Sequence, residues 1–189
     1  MGQEQLRIGW QTSAVELSFG EREANEQAND TMGELRFCII GEQAHARKTI
    51  RHIFQSVGIW SVSESKSCGE AMKLLSENRH DAIILDVGSD RKAWLSFIRT
   101  LRAHQREDLS QMPVILITAV ADTGEIELIR DMGVNAILLK PYSSKGLMTR
   151  VRKALDRSAS FVRQTNYIGP CRRVRPRAAD TAGPERRAA

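Results

Sequence analysis

Short unbroken apolar runs alternate along this chain with longer stretches in which apolar residues recur every three or four positions. The runs are Phe37-Cys38-Ile39-Ile40, Ala82-Ile83-Ile84-Leu85, Val114-Ile115-Leu116-Ile117 and Ala136-Ile137-Leu138-Leu139. Such runs, lacking the in–out alternation of a half-exposed strand, predict strands covered on both faces, as in parallel sheets. Between them, Ile50, Ile53, Phe54 and Val57 form one face of a helix over 44–57 that Gly58 ends. A short second strand is expected over 59–62. Further helices are expected over 68–77 (Ala71, Leu74 and Leu75 inward), 92–102 (Leu95, Ile98, Leu101), 124–132 and 143–157 (Leu147, Val151, Ala154, Leu155). Residues 105–112 read as a polar loop. Five strands alternating with five helices over about 125 residues imply right-handed βαβ crossovers. The predicted fold is α/β: a five-stranded, doubly wound, flavodoxin-like parallel sheet of order 2-1-3-4-5, with strands 1, 3 and 4 at its centre.

The pattern stops at both ends. Residues 1–33 have no sustained apolar period and are expected to be disordered, which leaves 34–157 as the folded domain. Met32 stands directly before the first strand and is a second candidate start. Residues 158–189 form an Arg- and Pro-rich tail in which Pro170, Pro176 and Pro184 forbid a continuous helix. We expect 161–168 to pack loosely on the domain and the remainder to be disordered. Seven arginines against two acids from Phe161 onward account for the whole net charge of +5, so the preceding residues are neutral. That split weakens a nucleic-acid reading of the whole protein. The tail reads as a solvated end, with a weak contact to an acidic partner or surface as the sharper alternative. Three cysteines without CxxC spacing argue against a disulfide framework or a zinc site. No apolar stretch resembles a signal peptide or a membrane span, so a cytoplasmic location is expected. His45, His52, His80 and His104 are scattered, with no metal spacing.

The candidate chemistry lies where the apolar runs end. His80-Asp81-Ala82-Ile83-Ile84-Leu85-Asp86 runs three branched residues straight into a carboxylate. A charge cannot stay unpaired inside such a strand, so Asp86 is expected at the sheet's carboxyl edge, where α/β folds place their ligands. Glu42 follows the first strand, Thr118 ends the fourth and Lys140 follows the fifth. An aspartate can accept a phosphoryl group if a divalent cation screens the incoming oxygens, a fixed cation holds one of them and a hydroxyl takes another. Glu42 and Asp86 suit magnesium, which takes one or two carboxylates plus water. Each residue also has a plainer reading: Asp86 as a helix cap, Glu42 as a solvated loop acid, Thr118 as a strand end and Lys140 as a surface lysine.

Together, Ile83-Ile84-Leu85-Asp86, Val114-Ile115-Leu116-Ile117-Thr118-Ala119 and Gly133-Val134-Asn135-Ala136-Ile137-Leu138-Leu139-Lys140-Pro141-Tyr142 resemble the response-regulator receiver domain of two-component signalling, over about 35–155. The resemblance implies a signalling module and not an enzyme. Asp86 would be the phosphoacceptor, Thr118 the switch hydroxyl and Lys140 the lysine that holds the phosphoryl group. Magnesium would sit on Glu42, Asp86 and the Gly88 backbone carbonyl, and Lys140-Pro141 would be a cis peptide. The partners implied are a sensor histidine kinase or phosphotransfer protein and an unknown downstream protein. A homodimer through the fourth helix, fifth strand and fifth helix is a further expectation. No DNA-binding output domain follows in this sequence. Phe161-Val162-Arg163, Tyr167-Ile168-Gly169-Pro170 and Gly183-Pro184-Glu185-Arg186-Arg187 also resemble the extension of a group of single-domain bacterial receivers.

Four positions depart from the family pattern. Gly41 and Glu42 stand where receivers usually carry two acids, which weakens the expected magnesium site. Asp90 stands where a proline is usual, and Ile137 replaces the aromatic of strand 5. These favour the alternative of a pseudo-receiver, a binding module that works without phosphorylation. A flavodoxin is a weaker reading, because Gly41-Glu42-Gln43-Ala44 offers an acid where a phosphate loop wants hydroxyls.

Overall fold

The four apolar runs lie as strands of one sheet. The computed structural model describes residues 33–88, 90–119, 122–155, 161–164 and 167–171, so most of the two stretches expected to be disordered lies outside the described residues. The strands are β1 (Phe37–Ile40), β2 (Val62–Ser65), β3 (Ala82–Asp86), β4 (Val114–Thr118) and β5 (Ala136–Leu139). All neighbours are parallel, in the order β2-β1-β3-β4-β5, as predicted. Helices α1 (Ala44–Gln55), α2 (Cys68–Glu77), α3 (Arg91–Arg102) and α4 (Thr123–Asp131) make the crossovers, and α5 (Ser144–Leu155) follows the last strand. The polar loop over 105–112 contains one additional helical turn, Glu107–Ser110. That turn tucks Leu109 into the core, 1% exposed.

Strand side chains alternate between two cores, one on each face of the sheet. Phe37, Ile39, Ile84, Ile115 and Ile117 pack with Ile50 and Phe54 of α1 and Leu147, Met148 and Val151 of α5. On the other face Cys38, Ile40, Ile83, Leu85 and Leu116 pack with Leu75 of α2, Phe97 and Ile98 of α3 and Ile129 of α4. Burial pushes the Cys38 thiol up to about 12, which makes it an inert core group. Helix starts are fixed by short polar side chains: Ser67 caps α2, Asp90 caps α3 and Asp122 caps α4.

The second strand differs from the sequence reading. Expected over 59–62, it runs Val62–Ser65. Ile59 is fully buried beneath the end of α1, with its N–H on Phe54 O at 2.9 Å. The true strand, Val-Ser-Glu-Ser, lies at the sheet's edge, so it pairs on one side only. Its Glu64 is held by Arg51 at 2.6 Å and Arg47 at 3.1 Å. Side-chain pairing, and not an apolar run, completes this strand.

The tail also differs from expectation. Phe161–Gln164 (β6) and Tyr167–Pro170 (β7) form an antiparallel pair. The pair docks on the amino edge of the main sheet. Gly133, with φ +82°, approaches it so closely that an added Cβ would lie 2.2 Å from Ile168 O. Arg163 Nη2 donates to Ser110 Oγ at 3.1 Å, and the Phe161 ring lies 5.5 Å from the Arg102 guanidinium. Backbone meets backbone here, which is closer than loose packing.

Candidate functional site

The site is built by the ends of β1, β3, β4 and β5 and the turns that follow them. Asp86 is the last residue of β3 and opposes Ile117 in register. Thr118 is the last residue of β4 and opposes Leu139 of β5. The Lys140 N–H donates to Thr118 O at 2.8 Å, so the ladder runs one residue past the strand and fixes the lysine beside the threonine. The Lys140–Pro141 bond is cis, as the resemblance implied. Lys140 Nζ forms an ion pair with Asp86 Oδ1. Thr118 is also buried, 3% exposed. The structure thus gathers Asp86, Thr118 and Lys140 at one point on the sheet's carboxyl edge.

Asp86 is only 6% exposed. Its Oδ1 is buried and takes no hydrogen bond, so the ion pair with Lys140 compensates its charge. That ammonium is the partner a buried carboxylate needs in a folded interior. The half-buried Tyr142 stands close by. Its phenol is pushed above its ordinary range by burial and by the charge of Asp86.

Glu42 and Gly88 meet on the other side of Asp86. A Cβ built on Gly88 would lie 2.7 Å from Glu42 Oε2 and 3.0 Å from its Cδ. The Glu42 carboxylate therefore lies against the segment that follows Asp86. Gly41 presses on Asp86 itself, since a Cβ there would be 3.2 Å from Asp86 Cβ. Arg47 Nη1 holds the turn after β1 from behind, donating to Gly41 O at 2.6 Å and Glu42 O at 3.1 Å. Arg47 is anchored in turn by Glu64. Burial would raise the Glu64 pKa, but the hydrogen bonds and charges of Arg51 and Arg47 outweigh it and hold the carboxyl below its usual range.

The carboxylates of Asp86 and Glu42, at neighbouring strand ends, suit a hard divalent cation that keeps several waters. Among the described residues no three His, Cys, Asp or Glu side chains gather into a metal-holding group. Asp90, the other departure nearby, serves the fold: its Oδ1 accepts from Ala93 N at 3.0 Å and starts α3. Cys68 lies within reach of the site's charges. Burial first, then Asp90 and Glu42, push its thiol up to about 11, so it is no nucleophile.

Sequence reasoning places Asp86, Thr118, Lys140, Glu42 and Gly88 at this edge. It does not reveal Arg47, Tyr142 or the contact of Glu42 with Gly88. Arg47 lies on the polar side of α1, and only its offset of six residues from Gly41 hints at a return contact.

The family model for the response regulator receiver domain matches residues 37–152. The chain is 23% identical over 123 residues to the chemotaxis protein CheY of Pseudomonas aeruginosa, covering 65% of this chain and 98% of that protein. It is 30% identical over 125 residues to the response regulator MprA of Mycobacterium sp. (strain KMS), covering 66% of this chain but 52% of the relative. Among solved structures, CheY4 of Vibrio cholerae matches with a TM-score of 0.57 and 19% identity, covering 64% of this chain and 98% of that one. The receiver domain of the sensor histidine kinase PA1611 from Pseudomonas aeruginosa, solved with a magnesium ion in its active-site cleft, matches with a TM-score of 0.56 and 23% identity over 64% of this chain and 97% of that one.

Proposed function

The chain belongs to the response-regulator receiver family, and on that premise we propose that it accepts a phosphoryl group on Asp86 from a partner's phosphohistidine. The observation that carries this reading is the buried Asp86–Lys140 ion pair at the sheet's carboxyl edge, in register with Thr118. In the reaction, a carboxylate oxygen of Asp86 attacks phosphorus. The P–O bond forms as the P–N bond breaks, and the imidazole leaves with the electron pair and takes up a proton. Lys140 moves from the carboxylate to a phosphoryl oxygen, and the Thr118 hydroxyl donates to another. Magnesium, held by Asp86, Glu42 and the Gly88 carbonyl, would neutralise charge on the transferring oxygens, from a site weakened by the glycine at 41.

The acyl phosphate adds negative charge beside Lys140 and Thr118, next to β5. The change is read out on α4, β5 and α5, where Leu139 is 39% exposed, by a protein partner or a second copy of the chain. Ile137 is half-buried and has no ring to swing, so the coupling runs through backbone and loop shifts.

Incubation with acetyl phosphate and magnesium, followed by a phosphate-affinity gel, tests the reading. Wild type is expected to shift and Asp86→Asn to stay in place. If the two behave alike, Asp86 is not the acceptor, and the phosphorylation-independent binding module suggested by Gly41, Asp90 and Ile137 takes its place.

A further inference from the structure

Glu42 is one methylene longer than an aspartate, a difference of about 1.5 Å in reach. Its base is not free to withdraw and absorb that length. Arg47 Nη1 clamps the carbonyls of Gly41 and Glu42 at 2.6 and 3.1 Å, and Glu64 Oε2 holds Arg47 Nε at 3.1 Å. On the other side Gly41 is in contact with Asp86, where even a Cβ would meet Asp86 Cβ at 3.2 Å and Asp86 O at 3.3 Å. The carboxylate therefore extends over Gly88 and fills the space of the missing side chain. A Cβ at 88 would lie 2.7 Å from Oε2, 3.0 Å from Cδ and 3.4 Å from Oε1.

We propose that Gly88 is a positioning residue matched to Glu42: the absent side chain at 88 admits the longer acid, so that a single glutamate presents its carboxylate to a divalent cation beside Asp86. This rests on the receiver reading above and specifies which residues let the metal half of that site work with one acid missing. Gly88 acts through Glu42 and not through backbone freedom, because its φ lies outside the left-handed region. An alanine at 88 is thus compatible with the fold, and what must move is the end of a flexible side chain.

A double-mutant cycle in magnesium affinity tests the pairing. Wild type, Gly88→Ala, Glu42→Asp and the double variant are titrated with magnesium by isothermal calorimetry, with urea unfolding midpoints measured in the absence of metal. Gly88→Ala is expected to weaken magnesium binding about tenfold in the wild-type background, as the loss of a ligand's supporting contact does. With the shorter Asp at 42, which clears the new methyl, the same change is expected to weaken it less than about threefold, and the metal-free midpoints of paired variants stay together. An equal loss in both backgrounds, or no loss in the wild-type background, overturns the pairing while leaving the receiver reading intact. No magnesium binding by wild type overturns the metal half of that reading and the pairing with it.

Discussion

Two charged side chains are buried at opposite edges of the same sheet, and they are treated in opposite ways. Arg102, at the end of α3, is 3% exposed and lies under the amino edge. Its Nε and Nη2 donate to Gly133 O, its Nη1 to Ser110 O and Met112 O, and Nη2 also to Asn135 Oδ1. The Phe161 ring lies nearby. Burial pulls its pKa down to about 10, so it stays charged at neutral pH. Asp86, at the carboxyl edge, is buried nearly as deeply but is held by a single ion pair, through its Oδ1 to Lys140. The guanidinium is saturated by neutral acceptors and ties the ends of two strands together. The carboxylate is held by one lysine, which is one-third exposed. The first arrangement ties strand ends together, and the second leaves the carboxylate a single partner that can move, which suits the group transfer proposed above.

The largest expected effect tests that contrast directly. Arg102→Met strands the acceptors of the guanidinium in the interior and should lower stability by about 3–5 kcal/mol in urea unfolding. Asp86→Asn should change it by less than about 1 kcal/mol, because the lysine it releases can reach water. Comparable losses from the two variants would erase the distinction. Next comes Gly133→Ala. The left-handed φ of +82° and the clash with Ile168 O should together cost about 2–3 kcal/mol. The docked strands Phe161–Gln164 and Tyr167–Pro170 should then become sensitive to limited proteolysis. Unchanged protection would show that the hairpin is held elsewhere.

Lys140→Met should have a smaller effect, about 1–2 kcal/mol at neutral pH, since the lysine is one-third exposed. Asp86→Asn should cancel most of it, because the loss comes from the stranded carboxylate. Additive losses in the double variant would mean that the pair does not act as a unit. The smallest effect is a pH dependence at His80. Burial holds this imidazole below its ordinary pKa, despite the opposing Asn78 carbonyl and Asp81 charge. Its ring nitrogens meet Asn78 O at 3.0 Å and Ser63 Oγ at 3.2 Å. A depressed folded pKa means that the unfolded chain binds the proton more readily. The stability from this group is therefore present above about pH 6.5 and lost as pH falls through the folded value. His80→Gln should flatten the fall in urea midpoint between about pH 7 and 5, and an unaltered slope would assign that fall to other groups.

Local chemistry explains why much of the site is legible in the chain. Asp86, Thr118 and Lys140 each end an apolar run, and parallel strands in register bring run ends to one edge. The second strand escapes such a reading because Val62–Ser65 is polar, and its Glu64 is secured by arginines 17 and 13 residues away. Arg102 looks like the outer end of an amphipathic helix, since its acceptors at Gly133 and Asn135 lie 31 and 33 residues on.

The sequence by itself determined the sheet, its order and the cluster of Asp86, Thr118 and Lys140, because short apolar runs and 3.6-residue periods are local signals that the sheet's geometry converts into position. Only the tertiary structure decided that Arg102 is saturated by five backbone and side-chain acceptor contacts while Asp86 rests on Lys140, that the hairpin seats against Gly133, and that Glu42 lies over Gly88. Each of those depends on which distant backbone groups reach a side chain and how closely two chain segments approach. Hydrogen-bond saturation and close packing are properties of the assembled fold, with no counterpart in a local pattern of apolar and polar residues.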